Sequence, residues 1–293
     1  MTDRIIEIAE TAARLTLENR LLKIRVPDSG EVQVPVSEIQ CLILANPAVT
    51  VSGALLAELA AAGAVVVVSG NNRLPAAMQL PLAGNYIQSE RFRAQIDAPL
   101  PLRKRLWQIV IREKIRRQGA LLKELHGDDF HLLELAEQVR SGDAENMEGR
   151  CAAIYWKQLF GDPFLRDREA ADNNMLLNYG YAVLRAMTAR AICAAGLHPT
   201  LGLDHHNRYD PYCLADDLME PFRTVVDRAV VRLLPRNAAV ETLTREMRQE
   251  LLSSLLGRRT VSGGEWKISD LLVRSAEQVA DSFGSGEVKL DYR

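Results

Sequence analysis

Charge of one sign is what this chain has least of: 36 Lys plus Arg stand against 38 Asp plus Glu, and the net charge of −2 excludes a histone-like polycation. Long apolar runs are missing too. The most hydrophobic stretch, residues 53–69, is interrupted by Glu58 and Gly63 and falls short of the roughly 20 residues that a membrane-crossing helix needs. Met1 to Arg4 lead into strand-like sequence without a cleavable apolar core, which predicts no secretory signal, no membrane segment and a cytoplasmic protein. The four cysteines, Cys41, Cys151, Cys193 and Cys213, form no Cys-x-x-Cys pair and sit among apolar residues, so buried reduced thiols are expected rather than disulfides or zinc ligands. A Gly-x-x-x-x-Gly-Lys-Ser/Thr phosphate loop is absent. Aromatics are only 5% while Ala, Leu, Val and Arg dominate, a balance that favours aliphatic helices and disfavours an all-β architecture.

What is present divides in two. Over residues 4–51, Ala13 to Glu18, Leu21 to Val26 and Glu31 to Val36 alternate apolar and polar residues, with Asn19-Arg20 and Pro27-Asp28-Ser29-Gly30 as turns: a β meander. Ile39 to Leu44 and Ala64 to Val68 are continuous apolar strands. Between them Ser52 caps a helix over Gly53 to Ala62, and Gly63 stops it. The segment from Pro75 to Pro81 breaks the pattern, and no strand is predicted beyond it. Seven helices follow by apolar spacing: Leu102 to Leu125, Phe130 to Ser141, Glu148 to Phe160, Asn174 to Ala195, Leu214 to Leu233, Ala239 to Leu256 and Ile268 to Ser282. Gly284 to Arg293 reads as a mobile polar tail. The expected class is α+β, with a small N-terminal β domain (1–78), a linker (79–100) and an all-α C-terminal domain (101–293).

All five histidines lie beyond residue 125, and one pair is embedded among acids. Asp204-His205-His206-Asn207 is followed by Asp216-Asp217-Leu218-Met219-Glu220-Pro221. Asp217 and Glu220, three apart, share a helix face among apolar neighbours, and Pro221 removes the hydrogen bond to the Asp217 carbonyl. Such a turn wants a cation, and His with Asp or Glu suits Mg²⁺ or Mn²⁺ better than structural zinc. Glu148, opening a helix, is a candidate for one more ligand, although a helix N-terminus stabilises a carboxylate unaided. A basic stripe is the second signal. Arg105, Arg112 and Arg116 share a face of one helix and could track a phosphate backbone, or simply be solvated; Arg228, Arg232 and Arg236 form another row.

Four segments in order carry a family resemblance: Glu148-Gly149 with Ala152-Ala153-x-Tyr155; Asn174 to Tyr181; Gly196-Leu197-His198-Pro199-x-Leu201-Gly202 leading to His205; and Leu214 to Arg223 with Asp227. Together they resemble the CRISPR-associated integrase that acquires new spacers, most closely the members of type II systems. One departure is Asp204, which stands where those relatives carry an apolar residue or histidine. The resemblance implies Glu148, His205 and Glu220 as ligands of Mg²⁺ or Mn²⁺ and Asp217 as an acid beside the metal, positioning or deprotonating the nucleophile or holding a second ion. It further implies an endonuclease and integrase that inserts short DNA duplexes into a repeat array by 3′-hydroxyl transesterification. The implied partners are double-stranded DNA, a second copy of the chain, a small dimeric companion subunit and the RNA-guided effector nuclease. Two other readings stay open: a catalytically silent helical DNA-binding scaffold, and an Asp-His-His phosphoesterase. The latter needs early metal ligands that a chain without histidine before His126 does not offer.

Overall fold

The computed structural model describes residues 4–27, 29–70, 75–162, 164–167, 170, 172–234, 240, 242–261 and 263–292. The N-terminal part runs β1 (Arg4–Ile8), β2 (Arg14–Glu18), β3 (Leu21–Val26), β4 (Gly30–Pro35), β5 (Ile39–Leu44), β6 (Thr50–Val51), α1 (Gly53–Ala61), β7 (Val65–Ser69) and β8 (Pro75–Gln79). The meander is there in β2–β3–β4, antiparallel, with β6 added beside β2 in parallel. β1 leaves it and pairs in parallel with β5, which pairs in parallel with β7, while β8 closes that second sheet as an antiparallel edge. The Ser52 side chain accepts from the Leu55 N–H at 3.3 Å, and Gly63 takes φ +72°, as the cap and stop required.

The period of two explains why β5 and β7 are apolar throughout. Leu42 and Val66 face the meander and α1 in one core, with Leu15, Leu22, Leu55 and Leu59. Cys41, Ile43, Val65 and Val67 face the opposite way, into the core of the helices. A parallel sheet covered on both faces reads as a continuous apolar run. The β1–β5–β7–β8 sheet is thus a middle layer that contributes to two cores.

The remainder runs α2 (Gln88–Asp97), α3 (Leu100–His126), α4 (Leu132–Glu137), α5 (Met147–Phe160), α6 (Asn174–Ala194), α7 (Cys213–Met219), α8 (Arg223–Leu233), α9 (Arg245–Leu255), a hairpin β9 (Arg258–Val261) and β10 (Gly264–Lys267), and α10 (Ile268–Ser285). Four expectations change here. A helix, α2, stands within the segment read as linker. Two strands exist beyond residue 80, in the β9–β10 hairpin, which is half exposed and lacks a buried face to mark it. The single helix expected over Leu214 to Leu233 is α7 and α8 joined by a 3-10 turn, Glu220–Phe222, because Pro221 has no N–H to donate. The supposed tail packs down: Leu290 and Tyr292 are buried. Asp28, Pro163, Arg236 and Ala239 lie outside the described residues.

An ion cluster that is buried at Arg248 and Glu7 and reaches the surface at Glu10 ties the β layers to the helices. Arg248, on α9 and 1% exposed, donates to Glu7 at 3.0 Å and to Glu10, and Tyr179 on α6 donates to Glu7 at 2.8 Å. All four cysteines are free and buried, and burial pushes the Cys41 thiol up to about 12. Among the described residues no helix is long and apolar enough to cross a membrane.

Candidate functional site

The site forms where α3, the start of α5, the loop after α6 and the α7–α8 kink meet. α5 begins with Asn146 accepting from the Gly149 N–H at 3.2 Å, while Asp143 accepts from the N–H groups of Met147 and Glu148 at 2.9 and 3.0 Å. With the helix N-terminus capped by Asp143 and Asn146, the Glu148 side chain is free to turn toward α3. There its Oε1 lies 2.6 Å from the Lys114 ammonium.

The kink presents Glu220 to the same ammonium. The Glu220 N–H donates to the Asp217 carbonyl, three residues back, and the Arg223 N–H returns to the Glu220 carbonyl. Glu220 Oε2 lies 2.7 Å from Lys114 Nζ and Oε1 lies 2.7 Å from an Arg223 nitrogen. The contact between Oε2 and Lys114 is a buried ion pair. Burial opposes ionisation of Glu220, but the Arg223 and Lys114 charges outweigh it and hold the carboxyl below its ordinary range. Arg117 braces the turn: it donates to the Pro221 carbonyl at 3.2 Å, and its guanidinium lies 4.8 Å from the centre of the Phe222 ring and 5.5 Å from that of Tyr292.

Asp217 and Glu220 share a helix face in sequence, yet they do different work. Asp217 is fully buried and reaches back to the loop before α7. Its Oδ2 accepts from the N–H groups of Leu203 and Asp204 at 2.5 and 3.3 Å, and its Oδ1 accepts from the His205 N–H at 3.3 Å and pairs with His205 Nδ1 at 2.6 Å. Gly202 lets the loop come this close: a Cβ there would lie 2.3 Å from the His205 carbonyl oxygen and 2.8 Å from Asp217 Oδ2. Burial draws the Asp217 carboxyl upward from its ordinary range, but four donors converging on two oxygens leave no place for a proton, and the anion is the consistent state. The His205 imidazole, bonded to Asp217 and opposed by burial, is raised to about 9. Its ring packs edge-on against Trp107 of α3 at 5.6 Å. His206 is exposed and its Nδ1 meets the Asp204 carbonyl oxygen at 2.6 Å, so the inward-facing histidine is His205.

Glu148 and Glu220 are therefore brought to one point, with His205 within electrostatic reach of Glu220. Among the described residues no three His, Cys, Asp or Glu side chains already form a metal-holding group, and the cation in contact with both carboxylates is Lys114. The donor chemistry nonetheless suits a hard or borderline divalent ion: two carboxylates that already converge on one cation, and an imidazole whose Nδ1 is tied to a carboxylate so that Nε2 is the lone-pair nitrogen when neutral. Asp217, by contrast, has both oxygens occupied by its own loop.

The expected basic stripe is split. Arg105 is exposed; Arg112 is half-buried near the Val139 carbonyl; Arg116 is ion-paired with Glu137 at 2.6 Å. Arg112, Arg116 and Lys289 line a groove between α3 and the C-terminal segment. Arg228 and Arg232 both face Glu124 of α3. Lys114, Trp107, Arg117 and Arg223 are site residues that spacing alone did not single out, and neither did it find Arg185, which grips the buried Asp216 at 2.5 and 2.6 Å.

The fold is shared with a solved casposase bound to integration product, which matches all of this chain and 93% of that one with a TM-score of 0.82 at 21% identity. A Cas6-RT-Cas1–Cas2 complex matches all of this chain and 36% of its own at TM-score 0.76 and 17% identity. At these identities the likeness concerns the fold. The family model described as CRISPR associated protein Cas1 matches residues 6–261, and the CRISPR-associated endonuclease Cas1 of Neisseria meningitidis serogroup C (strain 8013) is 36% identical over 255 residues, 85% of this chain and 82% of that protein. The chain belongs to the CRISPR associated protein Cas1 family.

Proposed function

We propose that the protein is a metal-dependent DNA endonuclease and integrase that inserts short DNA fragments into a CRISPR array by 3′-hydroxyl transesterification. The observation that carries this reading is the convergence of Glu148 and Glu220 on one cation position beside a histidine oriented by a buried carboxylate. Mg²⁺ or Mn²⁺, when bound by Glu148, Glu220 and His205 Nε2, supplies Lewis-acid stabilisation of charge developing on the scissile phosphate. Glu148 and Glu220 provide anionic oxygens from two different helices, so the site exists only when α5 and the α7–α8 kink are docked on α3. Asp217 fixes the His205 ring and its tautomer, which we prefer to a role on the nucleophile because its oxygens are filled by backbone donors. Arg223 keeps Glu220 ionised.

We assign the partners by the same reading. Double-stranded DNA is the substrate, with Arg105, Arg112 and Arg116 as candidate phosphate contacts. A small dimeric companion subunit bridges two dimers of this chain, and the edge strand β4, with Val32 60% exposed, belongs to the surface assigned to pairing with a second copy. Contact with the RNA-guided effector nuclease is part of the same type II reading. Residues 1–80 hold 6 basic and 8 acidic side chains, so the larger part is neutral and DNA affinity must come from local patches summed over an assembly.

The test is strand transfer of a 3′-hydroxyl duplex into repeat-bearing plasmid with the companion subunit present. Product is expected in Mg²⁺ or Mn²⁺, and none with chelator or with Glu148→Gln, His205→Ala or Glu220→Gln. Activity that survives chelation, or that persists in these variants, sinks the metal reading and leaves the DNA-binding scaffold.

A further inference from the structure

Lys114 sits where a cation is wanted, and it is not the cation that phosphodiester chemistry uses. Its side chain is 11% exposed, and its nitrogen touches Glu148 Oε1 at 2.6 Å and Glu220 Oε2 at 2.7 Å. Burial works against its charge, but the fields of Glu220 and Glu148 outweigh that and hold the ammonium more firmly than in water. The two basic groups on Glu220 divide its oxygens: Arg223 takes Oε1 and Lys114 takes Oε2. Because Arg223 holds Oε1, a divalent ion that uses Glu220 together with Glu148 takes the Oε2 that Lys114 now holds, and it sits against the Glu148 carboxylate that the same ammonium contacts. It also needs the oxygens closer, since Mg²⁺ binds oxygen at about 2.1 Å, roughly 0.5 Å inside the present nitrogen–oxygen distances. An ammonium and a divalent ion cannot share that space, because like charges at contact repel strongly in a buried site. Arg223 is held apart from this exchange by a ring, its guanidinium lying 4.8 Å from the Tyr181 centroid. Lys114 is on a flexible four-carbon stem and can yield.

We propose that Lys114 is a resident counter-ion that competes with the divalent metal for Glu148 and Glu220, so that the site is loaded by cation exchange rather than by filling a preformed cage. The inference rests on the metal reading above. Without metal, Lys114 bridges the buried Glu220 and the half-buried Glu148, whose carboxylates would otherwise repel each other and loosen the docking of α5 and the α7–α8 kink. On loading, one unit of positive charge leaves the carboxylate pair and two enter.

The test is Mn²⁺ binding by calorimetry to the full chain, with Lys114→Met, Lys114→Arg and Glu220→Gln beside wild type, and thermal melting in chelator and in Mn²⁺. Lys114→Met removes the competitor at nearly constant volume. It is expected to bind Mn²⁺ about tenfold or more tightly than wild type, to melt lower in chelator, and to gain more from Mn²⁺. Lys114→Arg, which keeps the charge, is expected to bind no more tightly than wild type. A Lys114→Met chain that folds only with Mn²⁺ supports the proposal in stronger form. Equal or weaker Mn²⁺ affinity in Lys114→Met overturns it, while loss of binding in Glu220→Gln leaves the metal reading standing. Mn²⁺ binding indifferent to Glu220→Gln overturns both. If Lys114→Met does not fold at all, wild-type crystals grown with chelator and with Mg²⁺ decide: Nζ displaced from both carboxylates in Mg²⁺ supports the exchange, and Nζ still in contact with both refutes it.

Discussion

Replacing Asp217 by Asn is the most informative change to the loop that carries His205, because the two side chains have the same shape and differ in what their second terminal atom can accept. In the native site both oxygens accept: Oδ2 from the N–H groups of Leu203 and Asp204, Oδ1 from the N–H and Nδ1 of His205. An amide can serve only one side. The cheaper orientation keeps its oxygen toward Leu203 and Asp204 and turns its NH₂ toward His205, leaving the His205 backbone N–H unpaired and forcing Nδ1 to become an acceptor. In the neutral ring the proton then sits on Nε2, so the nitrogen proposed as the metal ligand carries hydrogen instead of a lone pair. One unsatisfied buried donor and one lost charge-assisted bond together cost about 2–4 kcal/mol of stability. Metal affinity is expected to fall about 10- to 100-fold, as for other groups that orient a ligand. Ring ¹⁵N shifts of His205 report the tautomer, denaturant unfolding reports the stability, and calorimetry with Mn²⁺ reports the affinity. An Asp217→Asn protein that keeps the Nδ1–H tautomer, with Mn²⁺ affinity unchanged, would refute the reasoning.

Other regions give independent tests. A Cβ on Gly180 would lie 2.4 Å from Val226 Cγ1, so Gly180→Ala should destabilise the α6–α8 crossing by about 1–3 kcal/mol, and Val226→Ala in the same chain should restore part of that; additivity of the two losses in urea unfolding would refute the contact. Removing Arg248, which leaves Glu7 paired only with Tyr179 in the buried cluster, should cost about 3–5 kcal/mol in Arg248→Met; a loss near zero would show that the β layers and helices do not depend on it. Asp227 accepts from Tyr155 at 2.6 Å and from Tyr181, and burial raises its carboxyl to about 6 from 3.8. Because the folded value is the higher one, this group's contribution is fully present below about pH 4 and is lost as pH rises through 6. Wild type should therefore lose about 2 kcal/mol relative to Asp227→Asn between pH 4.5 and 7 in denaturant unfolding. An unchanged difference would contradict the shift.

Local chemistry was the legible part of the sequence. The Ser52 cap, the Gly63 stop and the doubly covered strands β5 and β7 all follow from residue type and position, as does the hydrogen bond lost at Pro221, though not the full break into two helices there. Pairing between distant segments was not: nothing in Arg4–Ile8 distinguishes an antiparallel partner in the meander from the parallel one it finds in β5. Lys114 was legible in retrospect. It lies on the stripe Trp107, Val110, Ile111, Ile115 and Gln118, all buried, so helix phase alone points its ammonium inward, and a buried ammonium needs carboxylates. The C-terminal segment carried a comparable signal in the alternation of Val288, Leu290 and Tyr292, which an expectation of polarity overrode. The role of Asp217 could not be read from spacing, since three-residue separation places it beside Glu220 without saying that the His205 loop would claim both its oxygens.

If Glu148, His205 and Glu220 hold one divalent ion for DNA strand transfer, as proposed, that ion can be located. Anomalous diffraction from crystals soaked in Mn²⁺ tests this most directly. A peak is expected about 2.0–2.4 Å from a carboxylate oxygen of each of Glu148 and Glu220 and from His205 Nε2. A peak at Asp217, at His206, or nowhere in this region would contradict the proposal.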